Sequence, residues 1–223
     1  RLVEDKQVSG SGDQVNVSMV TDLSIVFCNV AYYTRLRKAV LEQEGACEAL
    51  LTLANTDTPG GNWRAAAALR FLAIKESNRT AMVEKEAVKT LVALAGRESA
   101  LMRTQRDCAA AICSLAQSGD GDGDDDHDEG PSSGPEPGQL ELRRDIVQQG
   151  ALPMLIGLSQ SADAETVKSC SVALSSLSTA SATVDEGTVG SLIAMALGNS
   201  DADHLSQVDE DDRPPPVPIS GLT

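Results

Sequence analysis

The chain has 223 residues and a formal net charge of −15, with 41% hydrophobic but only 2% aromatic residues. This hydrophobic content supports a folded core. A core so poor in aromatic residues must be built from Leu, Ala, Val and Ile, which favours closely packed helices over a β-sandwich. Most of the charge lies in two acidic segments, so the remaining residues are nearly neutral and nucleic acid is a poor partner.

The first repeated pattern occurs in four stretches, in which apolar residues recur three and four positions apart, as on one face of a helix. The stretches IVFCNVA, ALRFLAI, AICSLAQ and ALSSLST begin at Ile25, Ala68, Ala111 and Ala173. The equivalent residues within them are Val30, Leu72, Leu115 and Leu177. Their spacings are 42, 43 and 62 residues, and the last interval contains an acidic insertion. Without the insertion, the period is close to that of the other intervals.

A second helical pattern alternates with the first. The stretches EGACEALLTLA, KEAVKTLVALA, QGALPMLIGLS and EGTVGSLIAMA begin at Glu44, Lys85, Gln149 and Glu186. Three copies have a glycine just before the apolar residues, and glycine accepts the left-handed backbone of a sharp bend. Those glycines are Gly45, Gly150 and Gly187. Glu86 replaces glycine in the remaining copy, where we expect a gentler bend.

Short helical pieces precede the first three bends and complete the unit. They carry an apolar pair, which is Ala39–Val40, Met82–Val83 or Ile146–Val147. Each unit therefore has three helices, and because one unit cannot bury its apolar face alone, the units are expected to stack into one elongated core.

This unit resembles the armadillo repeat, in which a helix ends near "iveaG", a second reads like "aipaLvaLL" and a long third helix reads like "AaxALxnLa". HEAT repeats are the near alternative, but the glycine bend and the three-helix spacing favour armadillo. The resemblance covers residues 14–198, with full units at 32–74, 75–117 and 139–178. It implies an all-α, right-handed solenoid of about three full repeats with half-repeats at each end.

Three segments outside the helical patterns are predicted to lack fixed structure. They are the flexible N-terminal segment 1–13, the acidic insertion 118–139 and the acidic, proline-rich tail 199–223. The insertion does not fit an EF-hand, because neither register of its Asp run places the required Gly and final Glu.

The resemblance further implies a concave groove lined by the third helices, in which Asn side chains bind the backbone of an extended peptide. The matching positions are Asn29, Phe71, Ser114 and Ser176, of which only the first is Asn. Nuclear-import adaptors of the family carry Trp four residues earlier, where this chain has Ile25, Ala67, Ala110 and Val172. A Trp–Asn ladder for basic peptides is therefore not expected.

A different groove chemistry is predicted from helical geometry, which places several cations and one Trp on the same face as the Asn positions. Such a stripe suits an acidic or phosphorylated segment, because Arg pairs bidentately with carboxylate and phosphate. Ordinary solvated helix charges are the competing interpretation. The predicted groove residues are Asn29, Trp63, Arg64, Arg103, Arg106, Ser114, Lys168 and Ser176.

The sequence contains no recognisable catalytic motif. Both histidines, His127 and His204, lie in acidic segments, so no Ser–His or Cys–His pair can be held in place. We expect no cofactor and no metal site, and no apolar run reaches the roughly 18 residues of a membrane span. The five scattered cysteines are typical of free thiols in a reducing compartment, so we expect a cytoplasmic protein, or a nuclear one.

The predicted function is therefore that of a non-enzymatic module that binds a peptide or helix of another protein. The alternative is a structural spacer or capping fragment of a larger solenoid, for example in a ubiquitin-ligase or chaperone system. The chain opens at Arg1 rather than Met, which is consistent with further repeats or domains N-terminal to it.

Overall fold

A computed structural model describes residues 17–56, 58–118 and 137–181. These residues form ten α-helices, and no strand occurs among them. The helices are α1 Val17–Tyr32, α2 Thr34–Glu42, α3 Ala46–Asn55, α4 Pro59–Ile74, α5 Glu76–Glu84, α6 Ala87–Ala95, α7 Met102–Ala116, α8 Pro137–Gln148, α9 Ala151–Leu158 and α10 Ala164–Ser181. The predicted segments 1–13 and 199–223, most of the insertion and the half-repeat after Glu186 lie outside the described residues.

The helices stack as three layers of a solenoid, which confirms the predicted fold class. The third helices α1, α4, α7 and α10 pack one against the next, as do the second helices α3, α6 and α9 and the first helices α2, α5 and α8. Helix α8 begins at Pro137, so the C-terminal edge of the predicted insertion is helical. Proline is well tolerated in the first turn of a helix.

One continuous core runs along the described units and is built from leucine and small residues, as the composition predicts. The repeated leucines of both patterns are fully buried in it. They are Leu50, Leu91 and Leu155 on the second helices and Leu72, Leu115 and Leu177 on the third.

Each of the three described bends before a second helix has a left-handed residue. Gly45 has φ 76° and Gly150 has φ 92°, as predicted. Glu86 has φ 61°, so the expectation of a gentler bend there was wrong. The buried side chains of Ala87 and Leu91 fix the direction of α6, and the backbone must therefore turn sharply even without glycine.

Each first helix carries a buried arginine that binds the C-terminal carbonyls of the preceding third helix. Arg79 Nε donates to Ala73 O at 3.0 Å, and its Nη2 donates to Ile74 O at 2.9 Å. Its Nη1 reaches Gln117 O, in the loop after α7, at 2.8 Å. The equivalent arginines on α2 and α8 are Arg37 and Arg143. Because the last carbonyls of a helix lack intrahelical partners, these arginines satisfy groups that would otherwise be buried without hydrogen bonds.

The arginines also correct the alignment of the first unit. Counted from Arg37, the apolar pair of α2 is Val40–Leu41, which packs against the core. The predicted pair included Ala39, which is exposed. The first unit therefore has one more residue between its arginine and its left-handed residue than the other two units have.

Candidate partner-binding surface

All eight predicted groove residues lie on third helices, and none of them is fully buried. We call the side of the third-helix layer on which they are predicted to lie the third-helix surface. Its members are Asn29 on α1, Trp63 and Arg64 on α4, Arg103, Arg106 and Ser114 on α7, and Lys168 and Ser176 on α10.

The strongest feature of the third-helix surface is a cluster of one indole and two guanidinium groups. The Arg64 guanidinium carbon lies 4.3 Å from the centroid of the Trp63 ring, and that of Arg103, from the next third helix, lies 4.8 Å from it. Arg64 Nη1 also donates to Gly60 O at 2.6 Å. Both guanidinium–ring distances are within the range of cation–π attraction. The structure thus brings together three predicted residues from two helices, and we refer to them as the Trp63 cluster.

Two of the three side chains of the Trp63 cluster are cationic, and the carboxylate of the neighbouring helix, Asp107, is paired with Arg70 at 3.3 Å. In the part of the chain that the structure describes, neither Arg64 nor Arg103 forms an ion pair with a carboxylate. The first turns of α4 and α7 hold no acidic residue, and neither helix has a side-chain cap at its N-terminus. Since the N-terminus of a helix is itself partially positive, the electrostatic environment favours an anion.

Arg106 has a different role from its neighbours. Its Nε lies 3.1 Å from Asp163 Oδ2 and its Nη2 lies 2.8 Å from Asp163 Oδ1, which is a bidentate pair. The hydrogen bond from Arg106, together with those from Thr166, holds the pKa of the Asp163 carboxyl below its ordinary value. Arg106 therefore joins α7 to the start of α10, and its charge is balanced within the chain.

Asp163 was missed in the sequence, although a signal was present. Its carboxylate accepts hydrogen bonds from the backbone N of Thr166 at 3.0 Å and from the Thr166 hydroxyl at 2.5 Å. An Asp immediately before an amphipathic pattern is a typical N-cap. That signal locates the helix start, but it does not reveal which arginine of another unit will reach the carboxylate.

The positions that carry Asn in the armadillo repeat do not form a row of amides in this chain. Asn29 is exposed, and Ser114 and Ser176 are half-buried. At the equivalent position of α4, Phe71 is buried beneath Tyr32, whose ring meets it edge-on with centroids 5.4 Å apart. Lys168 is half-buried near the N-terminal end of α10.

The cysteines are placed for packing. All five are free and buried. Burial raises the pKa of the Cys28 and Cys47 thiols to about 11, and that of Cys113 and Cys170 to about 12. These thiols therefore stay protonated at neutral pH, and a protonated thiol is a poor nucleophile.

Within 17–56, 58–118 and 137–181, no group of three or more His, Cys, Asp or Glu side chains is arranged to hold a metal ion. None of the helices in these ranges is both long and apolar enough to cross a membrane.

The family described as Armadillo/beta-catenin-like repeat matches residues 141–179, which span α9 and most of α8 and α10. Among curated proteins, none matches the chain.

Several solved structures share the fold. An engineered protein superposes with a TM-score of 0.60 at 20% identity, over 82% of this chain and 64% of its own length, so the chain spans less than two thirds of it. Computationally designed armadillo repeat proteins for modular peptide recognition give a TM-score of 0.58 at 18% identity, over 84% of this chain and 66% of theirs.

A designed armadillo repeat protein in complex with the peptide (KR)4 gives a TM-score of 0.56 at 17% identity, over 83% of this chain and 76% of its own. At these identities the likeness establishes the fold. The chain therefore carries an armadillo repeat at residues 141–179 and has the helical-repeat fold of armadillo proteins.

Proposed function

We propose that the chain is a protein-interaction module whose third-helix surface, as a concave groove, binds a segment of a partner protein that carries acidic or phosphorylated side chains. The observation that carries the proposal is the Trp63 cluster. An aromatic ring flanked by cations from two helices offers both apolar contact area and charge, and Trp and Arg are the residues most often dominant in binding energy.

The structural neighbours support a peptide ligand, and the residues of this chain indicate its charge. One neighbour holds (KR)4, a basic peptide. This chain has a single Asn at the former Asn positions and carries Arg64 and Arg103 on the surface in question. Like charges repel a basic peptide, so a ligand of opposite charge is favoured.

The proposed role requires no catalytic group. Binding would draw on burial of Trp63 and on charge-assisted hydrogen bonds to the arginines, while the buried thiols supply no accessible nucleophile. We place the protein in the cytoplasm or nucleus, where such thiols remain reduced.

Affinity capture with matched variants tests this function. We expect partners recovered with the wild type to be lost with the double charge reversal Arg64→Glu and Arg103→Glu. Arg106 is left unchanged because its pairing with Asp163 stabilises the fold. The control is Arg144→Glu, since Arg144 is exposed on the first helix α8. Partners retained by the double reversal and by the control alike would refute the proposal.

A structural role is the second candidate, and the outer face of α1 favours it. Met19, Leu23 and Val26 are 59%, 38% and 55% exposed. The positions equivalent to them on later third helices are buried. Those positions are Gly61, Ala65 and Ala68 on α4, Thr104, Cys108 and Ala111 on α7, and Thr166, Cys170 and Ala173 on α10. An exposed apolar face of this kind is typical of a contact with another protein surface, and we propose that a second copy of the chain covers it.

Sedimentation velocity separates the two candidates. A structural unit should self-associate through α1, and Leu23→Glu with Val26→Glu should return it to a monomer. A wild-type protein that stays monomeric at high concentration would eliminate this second role and leave the first intact.

A further inference from the structure

We propose that Arg64 and Arg103 together hold a phosphorylated side chain of the partner segment. This inference rests on the proposed function and specifies the chemistry of its ligand. Two features of the chain support it: an anion held by arginine at the next joint, and the presence of two cations at the Trp63 cluster.

The reason for an anion is found one unit further along the chain. Between α7 and α10, the Asp163 carboxylate accepts two hydrogen bonds from Arg106 and also caps the N-terminus of α10. Its side chain is 11% exposed. The chain therefore contains an example of an anion seated between two successive third helices and held by arginine.

The joint between α4 and α7 has its internal anion elsewhere. Asp107 on α7 pairs with Arg70 on α4 at 3.3 Å, and no side chain caps the N-terminus of α7 beside the Trp63 cluster. When the third helices are aligned on Leu72, Leu115 and Leu177, Leu101 occupies the position of Asp163. Leu101 precedes α7 without a side-chain hydrogen bond and is 44% exposed. On α4, Trp63 is equivalent to Arg106 of α7. The cations near it are Arg64 and Arg103, which both stack on its ring. An external anion would fill the role that Asp163 fills at the next joint.

The reason for phosphate is the number of charges. At the α7–α10 joint, one carboxylate faces one arginine, and the pair is neutral. At the Trp63 cluster, two guanidinium groups share one indole and neither is paired with a carboxylate of the described residues, so one incoming carboxylate would leave one positive charge unpaired. A phosphorylated side chain carries close to two negative charges at pH 7 and has three acceptor oxygens, which matches two arginines.

Trp63 also fixes the arginines in advance. A guanidinium stacked on an indole has lost much of its rotational freedom before the ligand arrives, so less entropy is lost on binding. Arg64 is held further by its hydrogen bond to Gly60 O. The ring serves as a platform that keeps both cations within reach of one group.

The chain offers a direct reporter, because Trp63 is its single tryptophan. We would probe the full chain with three peptide arrays of otherwise random sequence, whose central residue is phosphoserine, glutamate or serine. The best phosphopeptide would then be titrated, beside its glutamate and serine forms, with the fluorescence of Trp63 as the signal. The arrays require no variant, so the result does not depend on the folding of a mutant.

We expect the phosphopeptide to bind at least about tenfold more tightly than its glutamate form, since two charged groups are paired in place of one. Arg64→Gln and Arg103→Gln should each weaken it by roughly tenfold or more, whereas Arg144→Gln, the matched control, should leave its affinity unchanged. Equal affinity for the phosphoserine and glutamate forms would overturn the inference. The inference would also be overturned if Trp63 fluorescence responded to vesicles containing a phosphoinositide but to no phosphopeptide.

The inference and the proposed function can fail separately. In one outcome, the wild type captures partners that the charge-reversed variant loses, and phosphatase treatment of the lysate does not affect capture. This result would support the binding surface and refute the phosphorylated ligand. Partners that are still captured by the charge-reversed variant would refute both the proposed function and the inference.

Discussion

Glu86 shows at the scale of a single residue how packing overrides local preference. Its backbone is left-handed, with φ 61°, where the other two described units have Gly45 and Gly150. For a residue with a side chain, this conformation costs on the order of 1–2 kcal/mol. The aligned glycines predicted where the chain bends, but the Glu concealed that the same bend persists in this unit.

Replacing Glu86 by glycine should therefore stabilise the protein. We expect Glu86→Gly to raise the free energy of unfolding by about 1 kcal/mol, measured by urea denaturation. The surface contact of Glu86 with Lys89, which the substitution removes, should subtract little. Gly150→Ala is the mirror-image control and should lower stability, because it places a side chain at φ 92°. A Glu86→Gly variant less stable than the wild type would contradict this interpretation.

The buried thiols predict a dependence of stability on alkaline pH. Because burial raises the pKa of Cys28 and Cys47 from 9.0 to about 11, the unfolded chain releases these protons at a lower pH than the folded chain does. Between these values the folded state binds more protons, so its stability falls as the pH rises.

Urea denaturation at pH 8, 9 and 10 measures this effect. The double variant Cys28→Ala and Cys47→Ala retains the other ionisable groups, and its stability should decline less steeply than that of the wild type. Equal slopes would show that these thiols do not contribute.

At the scale of elements, the apolar periodicity was sufficient to predict each described helix and the order in which helices alternate. It could not predict the contacts that join them. The arginine that binds the end of the preceding third helix recurs at Arg37, Arg79 and Arg143, but sequence spacing does not tell which carbonyls lie nearby. For the same reason Arg106 was expected in the groove with no sign of its pairing with Asp163.

Removing one of these joining arginines should be severe. Arg79 is 3% exposed and donates to three carbonyls, two on α4 and one after α7. We expect Arg79→Ala to lower the free energy of unfolding by about 3 kcal/mol, because buried carbonyls lose charged donors. Arg79→Lys should recover only part of this, since an ammonium cannot reproduce the planar fork.

Arg35→Ala is the matched control for that experiment. Arg35 is an exposed arginine on the first helix α2, and its loss should change stability by less than about 0.5 kcal/mol. Equal effects of the Arg79 and Arg35 substitutions would show that the buried hydrogen bonds do not hold the layers together.

At the scale of the whole molecule, stability is distributed as in a one-dimensional stack. Among the described helices, α4 and α7 each lie between two other third helices, whereas α1 contacts one third helix and has an exposed apolar face. In repeat proteins, stability is approximately the sum of unit terms and nearest-neighbour terms. The outermost element therefore opens first.

Native-state hydrogen exchange should reveal this gradient. We expect backbone amides in the middle of α4 and α7 to exchange most slowly, and those of α1 to exchange at least about tenfold faster, since α1 can detach without breaking the rest of the stack. Uniform protection of α1, α4 and α7 would indicate a single cooperative globule instead.

The candidate surface was predictable in part. Helical geometry and the repeat register predict which residues share one face of the third helices, because both follow from spacing along the chain. Among them, Trp63 is in contact with Arg64 and Arg103. The stacking of Arg64 and Arg103 on Trp63 depends on the distance between α4 and α7, which the small residues between those helices determine. That distance is a property of the packed core, and no local pattern encodes it.

Site-specific photo-crosslinking tests most directly the claim that the third-helix surface is where a partner binds. A photoreactive amino acid would replace Asn29 or Ser114 on that surface, and Thr52 or Thr80, both exposed on other helices, as controls. With a captured partner present, we expect covalent adducts from Asn29 and Ser114 and none from Thr52 or Thr80. Adducts formed only from the control positions would contradict the account.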